Sequence, residues 1–193
     1  MNENLEFLQA FLKNPFGVGS IAPSSPELSR RMIDGIEPSP DSIVLELGVG
    51  TGALTKFIQT VVEGDDCYLG IELDKKLVSC SQRDYPGMKF VRGNACNAHA
   101  LHRRSKLGKV GYIICSLPFV SLPSEVNEKI YKEIEKFMEK GCVFRTYQYA
   151  HGFYMPSAIK LREFMRTRYG ATERSPLVVK NVPPAYTLTW RSA

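Results

Sequence analysis

The alternation of short apolar runs with amphipathic, helix-length segments constrains the fold of this chain more than any other feature of its sequence. The apolar runs predict five strands, at 43–47, 67–71, 89–91, 110–115 and 142–147. Helices are predicted in the connections between and after them, at 53–62, 75–83, 125–138 and 159–168. Such alternation is typical of a parallel, doubly wound sheet with right-handed crossovers, because each helix must cross back over the sheet before the next strand begins.

The C-terminal part of the chain breaks this alternation. Two strand-like runs, 176–180 and 186–190, are joined only by Asn181-Val182-Pro183-Pro184-Ala185, which leaves no room for a helix. We therefore expect a hairpin whose last strand runs antiparallel to its neighbours. The predicted fold is α/β: a Rossmann-like, doubly wound, seven-stranded sheet, mostly parallel, with a C-terminal antiparallel hairpin.

Two helices are expected ahead of the sheet. Leucines and phenylalanines at helical spacing predict an amphipathic helix at 5–12, and a loop rich in Gly, Pro and Ser follows it. Ser25 is placed to cap a second helix that begins with Pro26. We expect one structural domain, in which 1–38 is an N-terminal appendage and 39–193 forms the sheet.

Composition narrows the setting of this domain. The 193 residues are 44% hydrophobic and 23% charged, as in ordinary globular proteins. No run approaches the roughly 18 to 20 apolar residues that span a bilayer, and Glu3 and Glu6 stand where a secretory signal would be basic. We expect a cytoplasmic protein. The five cysteines lack a CxxC spacing and the three histidines lack ligand spacing with them, so no metal is expected.

The net charge of +5 favours an anionic partner without choosing between nucleic acid, a membrane surface and an acidic small molecule. Positive side chains gather in two clusters, which solvated surface alone would also explain. One covers 102–109, and the other consists of Lys160, Arg162, Arg166 and Arg168.

The first strand runs directly into a glycine-rich turn, Glu46-Leu47-Gly48-Val49-Gly50-Thr51-Gly52. Ligands of open α/β sheets bind at the carboxyl ends of the strands, and glycines let a ligand approach the backbone there. A carboxylate at Glu46 would repel a pyrophosphate, whereas it would suit a cationic ammonium or sulfonium group. The next two strands end at Glu72-Leu73, where a carboxylate can accept both ribose hydroxyls, and at Asn94-Ala95, where an amide can bind an adenine edge. Three such tips in order indicate an adenosylmethionine pocket, with another nucleotide as the alternative.

The segment 44–52 resembles motif I of class I S-adenosylmethionine-dependent methyltransferases. The resemblance implies S-adenosylmethionine as cofactor, S-adenosylhomocysteine as product, Gly48, Gly50 and Gly52 along the methionine part, and Glu72 on the ribose. Asn94 departs from the family, which more often has aspartate there.

Three further segments resemble the bacterial and archaeal phospholipid N-methyltransferases, which convert phosphatidylethanolamine stepwise toward phosphatidylcholine. They are 19–25 (Gly-Ser-Ile-Ala-Pro-Ser-Ser), 116–119 (Ser-Leu-Pro-Phe) and 181–185. The likeness covers nearly the whole chain. It implies a loop that covers the cofactor and further cofactor contacts after the fourth strand, with the residues Ser20, Ile21, Pro23, Ser116 and Leu117. It also implies an amino-phospholipid substrate and peripheral attachment to a membrane. The N-terminal helix and the basic clusters are the candidates for this attachment, with packing of the helix as a lid on the domain as the alternative. No nucleic-acid partner is expected, and the chain is expected to be a monomer.

Candidate acceptor residues follow the fourth and fifth strands. Methyl transfer to an amine is an in-line displacement, and an aromatic face stabilises the positive charge that develops on the nitrogen. Phe119, Tyr147 and Tyr149 are candidates for that role. His151 is a candidate proton acceptor, beside water and the lipid phosphate.

Two alternatives stay open at this point. The related rRNA adenine N6-dimethyltransferases carry N-[LI]-P-[YF] after the fourth strand, where Ser116 replaces the Asn, and they use an extra C-terminal domain on RNA. A cofactor-binding domain without catalytic activity is the other alternative.

Overall fold

The computed structural model describes residues 24–192, which form one seven-stranded sheet with helices on both faces. The strands are β1 (Ile43–Leu47), β2 (Tyr68–Glu72), β3 (Lys89–Arg92), β4 (Val110–Cys115), β5 (Val143–Tyr149), β6 (Glu173–Arg174) and β7 (Ala185–Arg191). The α-helices are α1 (Pro26–Ile33), α2 (Thr55–Ile58), α3 (Lys75–Asp84), α4 (Ala98–Ser105), α5 (Ser124–Met138) and α6 (Pro156–Tyr169). Short 3-10 helices lie at Asp65–Cys67, Ala95–Asn97 and Ala150–Gly152.

The strand order is β3-β2-β1-β4-β5-β7-β6. Strands β1 to β5 are parallel to one another, while β7 runs antiparallel to both β5 and β6. This confirms the predicted fold class, including the antiparallel strand at the C-terminal end. The order reverses between β1 and β4, which is the switch point at which open α/β sheets bind ligands.

The core consists of two apolar layers, one on each face of the sheet. Successive residues of a strand point to opposite faces, so Leu45 and Leu47 enter one layer while Val44 enters the other. The first layer contains the buried stripe of α5, including Ile130 and Ile134. The second contains the buried residues of α1, α2 and α3. The side chains of β1 thus alternate between the two layers. Glu46 lies between the two leucines, so its side chain points into the layer opposite theirs.

Helix α1 begins as its sequence predicts. The Ser25 hydroxyl accepts a hydrogen bond from the backbone N–H of Leu28 at 3.2 Å, and Pro26 occupies the first turn. Its other end is held by Arg145 of β5, whose Nη1 donates to the carbonyl oxygens of Arg31, Met32 and Asp34. The guanidinium supplies donors to carbonyls that a helix end leaves unpaired, so it fastens α1 to the sheet.

Two predicted elements differ from the structure, and one helix was not predicted. The strand predicted at 176–180 is wrong: β6 is Glu173–Arg174, and only Val178 of the later run forms an isolated bridge, with Ala185. Pro176 has no N–H to donate to a ladder. The helix predicted at 53–62 is reduced to α2 with turns on either side, and α4, which the sequence did not predict, contains most of the first basic cluster.

Other predictions lie at or beyond the edge of the described part. The amphipathic helix at 5–12 and the loop up to residue 23 lie outside the described residues, and the division at residue 38 stays a prediction. Within 24–192, no helix is both long enough and apolar enough to cross a membrane.

Candidate active site

The turn after β1 is built on glycines with positive φ. Gly48, Gly50 and Gly52 have φ of 82°, 57° and 80°, a region that L side chains rarely adopt. At Gly48 the space is filled as well, because a Cβ there would lie 2.8 Å from Cδ2 of Leu117. At Gly50, by contrast, a Cβ would meet nothing within 4 Å. The turn therefore presents open backbone at its middle glycine.

The tip of β4 is fastened to this turn by Ser116. Its hydroxyl donates to the carbonyl oxygen of Gly48 at 2.5 Å, and its backbone N–H donates to the carbonyl oxygen of Leu47 at 3.1 Å. Leu117 then covers Gly48 from above. The two tips on either side of the switch point form one unit, a role for Ser116 that the sequence pattern did not indicate.

Glu72 ends β2 with its carboxylate turned toward the glycine turn. Oε2 accepts from the Gly50 N–H and Oε1 from the Asp74 N–H, both at 2.9 Å, and the residue is 3% exposed. A carboxylate has about four lone-pair positions, so each oxygen retains capacity to accept a hydroxyl proton. The backbone of both neighbouring loops thus orients this carboxylate before any ligand binds.

At the end of β3, Asn94 has a structural role. Its Oδ1 accepts from the Cys96 N–H at 2.9 Å and caps the 3-10 helix Ala95–Asn97. Its neighbours Gly93 and Ala95, and not Asn94, line the cleft next to Glu72. Contact between Asn94 and an adenine edge stays a prediction.

A cleft of about 340 Å³, counting the space open to solvent, lies between these tips. Its walls are apolar apart from one carboxylate, and the lining residues are Gly48, Ile71, Glu72, Leu73, Gly93, Ala95, Leu117 and Ile130. Apolar walls suit the faces of a nucleoside base, and the carboxylate suits ribose hydroxyls. Ile71, Gly93 and Ile130 were missed by sequence reasoning, since nothing in their residue type distinguishes a cleft wall from core.

Glu46 points away from this cleft. Oε2 of its fully buried carboxyl group accepts from the Thr55 hydroxyl at 2.9 Å and from the Tyr68 hydroxyl at 2.5 Å. Within the described part of the chain, Oε1 has no hydrogen-bond partner. Burial raises the pKa of Glu46 to about 8, against the two hydrogen bonds that lower it. The predicted contact with the cationic end of the cofactor stays a prediction that this orientation does not favour, and Thr51 is exposed on the turn.

An aromatic row lies at the carboxyl end of β5, where Tyr147 and Tyr149 belong to the strand and His151 follows it. The rings of Tyr147 and Tyr149 are 5.5 Å apart and edge-on, while those of Tyr149 and His151 stack at 5.7 Å. Burial raises the pKa of both tyrosines. The structure thus brings together three of the four predicted acceptor residues, and their catalytic roles stay predictions.

Phe119 is separate from that row. Its ring is 4% exposed and lies 5.4 Å from the ring of Tyr131 in the core, while its carbonyl oxygen accepts from Nδ2 of Asn127 at 2.7 Å. In this arrangement the ring supports the β4 tip from below. Its predicted role beside the reacting nitrogen stays a prediction, and Ser20, Ile21 and Pro23 lie outside the described residues.

Sequence comparison finds distant relatives among methyltransferases. No protein-family model matches the chain. An ornithine lipid N-methyltransferase from Singulisphaera acidiphila is 25% identical over 147 residues, which cover 75% of this chain and 77% of the relative. A ribosomal RNA small subunit methyltransferase A from Chlorobium phaeobacteroides is 33% identical over 67 residues, which cover 35% of this chain and only 24% of the relative.

Solved structures match over the whole chain. A methyltransferase from Anabaena variabilis, described as SAM-dependent, has a TM-score of 0.67 at 12% identity and covers 100% of this chain and 96% of its own. The magnesium protoporphyrin IX methyltransferase of Synechocystis, solved with bound SAM, has a TM-score of 0.59 at 12% identity, with coverage of 100% and 99%. The fold is that of class I methyltransferases. The chain is an S-adenosylmethionine-dependent methyltransferase.

The cleft of this methyltransferase fits that cofactor. Open backbone at Gly50, an oriented carboxylate at Glu72 and the apolar walls at Leu73 and Leu117 would hold the methionine part, the ribose and the base. When bound, the cofactor supplies a methyl group activated by a sulfonium. The protein contributes alignment and exclusion of water, without a covalent step. Among residues 24–192, no group of three or more His, Cys, Asp or Glu side chains could hold a metal ion.

Proposed function

We propose that this methyltransferase transfers methyl groups to the amine of a membrane lipid, with phosphatidylethanolamine and its methylated derivatives as substrates. The observation that carries the proposal is the hydrogen bond from the Ser116 hydroxyl to the Gly48 carbonyl oxygen. The side chain at the β4 tip is engaged within the protein, so it offers no amide or carboxylate oxygen to a nucleobase amine. An aliphatic amine needs no such oxygen. The relative that acts on an aminolipid supports the same acceptor class.

The amine must lose a proton before it can attack. Its unperturbed pKa is near that of lysine, about 10.4. In this proposal the aromatic row attracts the cation, since ring faces favour a positive charge, and His151 at its exposed end takes the proton. In the same proposal the amine lies between the rings of Tyr147 and Tyr149 on one side and the β4 tip on the other.

Peripheral attachment of a cytoplasmic monomer to the membrane belongs to the same proposal. A lipid amine lies at the bilayer surface, so the enzyme must reach it from the aqueous side. The amphipathic segment at 5–12 has the apolar face that an interfacial helix requires.

The test offers three acceptors in parallel: vesicles with phosphatidylethanolamine, vesicles with ornithine lipid, and ribosomal RNA. Methyl-labelled S-adenosylmethionine is added to each, and products are identified by mass. We expect label in phosphatidylethanolamine, increasing through successive methylations. Label in ornithine lipid alone would keep the acceptor class but change the substrate, and label only in RNA would overturn the proposal.

The second candidate is methylation of rRNA adenine. It is favoured by the match to ribosomal RNA small subunit methyltransferases, which is higher in identity but confined to about a third of this chain. Replacing Ser116→Asn would restore the amide that this class carries. If RNA is the acceptor, the variant should methylate RNA faster than the wild type. If a lipid is the acceptor, the variant loses the hydrogen bond to Gly48 and gains no RNA methylation.

A further inference from the structure

The basic cluster on α6 does not act as one patch. Lys160 pairs with Glu128 at 2.6 Å, and Arg168 pairs with Glu135, so both charges are neutralised locally. Arg162 has no carboxylate partner in the described part of the chain. Its Nη1 donates instead to Oε1 of Gln148 at 2.5 Å and to the carbonyl oxygen of Phe153 at 2.8 Å.

Arg162 meets a second unpaired arginine over one aromatic ring. Its guanidinium lies 3.9 Å from the centroid of Phe153, and that of Arg174 lies 5.4 Å from the same centroid and 4.9 Å from that of Tyr186. No salt bridge to either arginine occurs among residues 24–192. Burial and the nearby Arg174 lower the pKa of Arg162. Two cations held together without an intervening carboxylate create a local demand for an anion.

The two guanidiniums open into a cavity large enough for such an anion. Its volume is about 740 Å³, counting the space open to solvent, and Thr172 contributes a hydroxyl-bearing side chain to the lining. Planar guanidinium groups match phosphate oxygens with paired N–H donors. Because Phe153 and the Gln148 amide hold Arg162 in place, little side-chain freedom remains to be lost on binding.

This cavity lies at the same end of the sheet as the acceptor residues. The ring of Phe153, which both arginines contact, follows the end of β5, while Arg174 itself pairs with Leu188 of β7. Large apolar side chains are exposed in the segments that follow β5 and precede β7: Tyr154 is 80% exposed, Val179 65% and Val182 71%. The loop that carries the two valines meets the end of β5 through the bond from the Ala150 N–H to the Pro184 carbonyl oxygen.

We propose that Tyr154, Arg162, Arg174, Val179 and Val182 form a docking surface for an anionic bilayer. The arginine pair binds the phosphate oxygens of anionic headgroups, and the tyrosine and valines enter the interfacial region. The proposal rests on the proposed lipid function, because it gives that function its orientation on the membrane. A bilayer explains the exposed valines, which lack the ring faces on which nucleic-acid bases stack.

The decisive variant is Arg174→Gln, since among residues 24–192 the Arg174 side chain has no hydrogen-bond partner and contacts only the rings of Phe153 and Tyr186. Its matched control is Arg166→Gln, which removes the same charge from an exposed position on α6. Binding is measured by cosedimentation of the full chain with phosphatidylcholine vesicles, with and without phosphatidylglycerol. Each arginine near an anionic surface changes partitioning by about five-fold. We expect that loss for Arg174→Gln, a further loss for the double variant with Arg162→Gln, and a smaller one for the control.

The apolar half of the surface is tested by Val179→Ser and Val182→Ser. Both should weaken binding to vesicles of either composition, because their contribution does not depend on charge. Equal binding by Arg174→Gln and Arg166→Gln would overturn the docking surface. So would a wild-type chain that does not bind anionic vesicles, or that is displaced from them by RNA but not by soluble inorganic phosphate.

A separate assay keeps this inference distinct from the proposed function. Phosphatidylethanolamine dispersed in detergent needs no docking to a bilayer. If the variants methylate it normally but bind vesicles like wild type, the docking surface fails while the function stands. If vesicle binding responds as expected but no lipid amine is methylated in detergent, the function fails.

Discussion

The Tyr68 hydroxyl donates to Oε2 of Glu46 at 2.5 Å, directly behind the glycine turn that opens into the cofactor cleft. Burial raises the pKa of Glu46 to about 8 and also raises that of Tyr68. A buried carboxyl group with one unpartnered oxygen is most stable when neutral. The glycine turn beside the cofactor cleft therefore rests on a carboxyl group, Glu46, that titrates near physiological pH.

Stability should fall as this carboxyl group ionises. The folded-state pKa lies above the ordinary value of 4.5, so the folded state binds the proton more tightly. The contribution is complete below about pH 4.5, declines as pH rises to about 8 and is lost above it, by an amount on the order of a few kcal/mol. Glu46→Gln mimics the neutral form and should flatten this slope. Urea unfolding between about pH 5 and pH 9 measures it, and an unchanged slope in the variant would contradict the assignment.

Gly50→Ala should impair cofactor binding beyond its cost in stability. Gly50 and Gly35 both have positive φ and open space at the Cβ position, so each alanine should cost about 1 kcal/mol of folding free energy through backbone strain. Only Gly50 belongs to the turn beside the cleft, where its N–H donates to the Glu72 carboxylate. Calorimetric titration with S-adenosylhomocysteine should show at least a ten-fold loss of affinity for Gly50→Ala and no loss for Gly35→Ala. Similar affinities for the two variants would remove the glycine turn from the site.

Glu72→Ala should weaken cofactor binding more than it weakens the fold. The substitution removes an acceptor for ribose hydroxyls, and it also leaves the N–H groups of Gly50 and Asp74 unpaired. A lost charge-assisted hydrogen bond costs about 1.5–3 kcal/mol, which corresponds to a ten- to hundred-fold rise in Kd. Glu72→Gln keeps one acceptor oxygen, so its Kd should lie between those of the wild type and Glu72→Ala. An unchanged Kd for both variants would exclude ribose recognition by this carboxylate.

Arg145→Met should destabilise the protein by about 2–4 kcal/mol, because the carbonyl oxygens at the end of α1 lose their buried donor. Arg145 is 7% exposed and also donates to the Thr189 hydroxyl at 2.9 Å. The exposed neighbour provides the control, since Arg31→Gln should stay within about 0.5 kcal/mol of wild type. Chemical denaturation measures both, and equal effects would show that the charge, and not the capping geometry, matters.

The parallel part of the sheet could be predicted from sequence because its strands are continuous apolar runs. Strand β6 could not, since Glu173 and Arg174 are both exposed and carry no apolar pattern. Its two residues are strand only because β7 lies beside them. The strand was predicted instead at 176–180, because that run is more apolar, although Pro176 cannot donate a ladder hydrogen bond and only Val178 forms a bridge.

The candidate site was predicted at the level of strand tips. The glycine turn and Glu72 follow from position alone, because parallel strands end at one edge. Glu46 was instead predicted to face the cationic end of the cofactor, although it alternates with Leu45 and Leu47 and its side chain therefore enters the layer opposite theirs. The arginine pair at Phe153 could not be predicted, since Arg162 and Arg174 come from different elements and meet over a ring that belongs to neither.

The position of β7 sets an order of assembly. Strand β6 comes earlier in the chain than β7, yet within the described residues it pairs with β7 alone. Pairings between strands distant in sequence form late, and chains fold from the N-terminal side during synthesis. Strands β1 to β4 are complete by residue 115 and the cleft wall by Ile130, whereas the segment around Arg174 must wait for residues 185–191 to leave the ribosome. A nascent chain would therefore complete its cofactor site before the surface that we propose docks on the membrane.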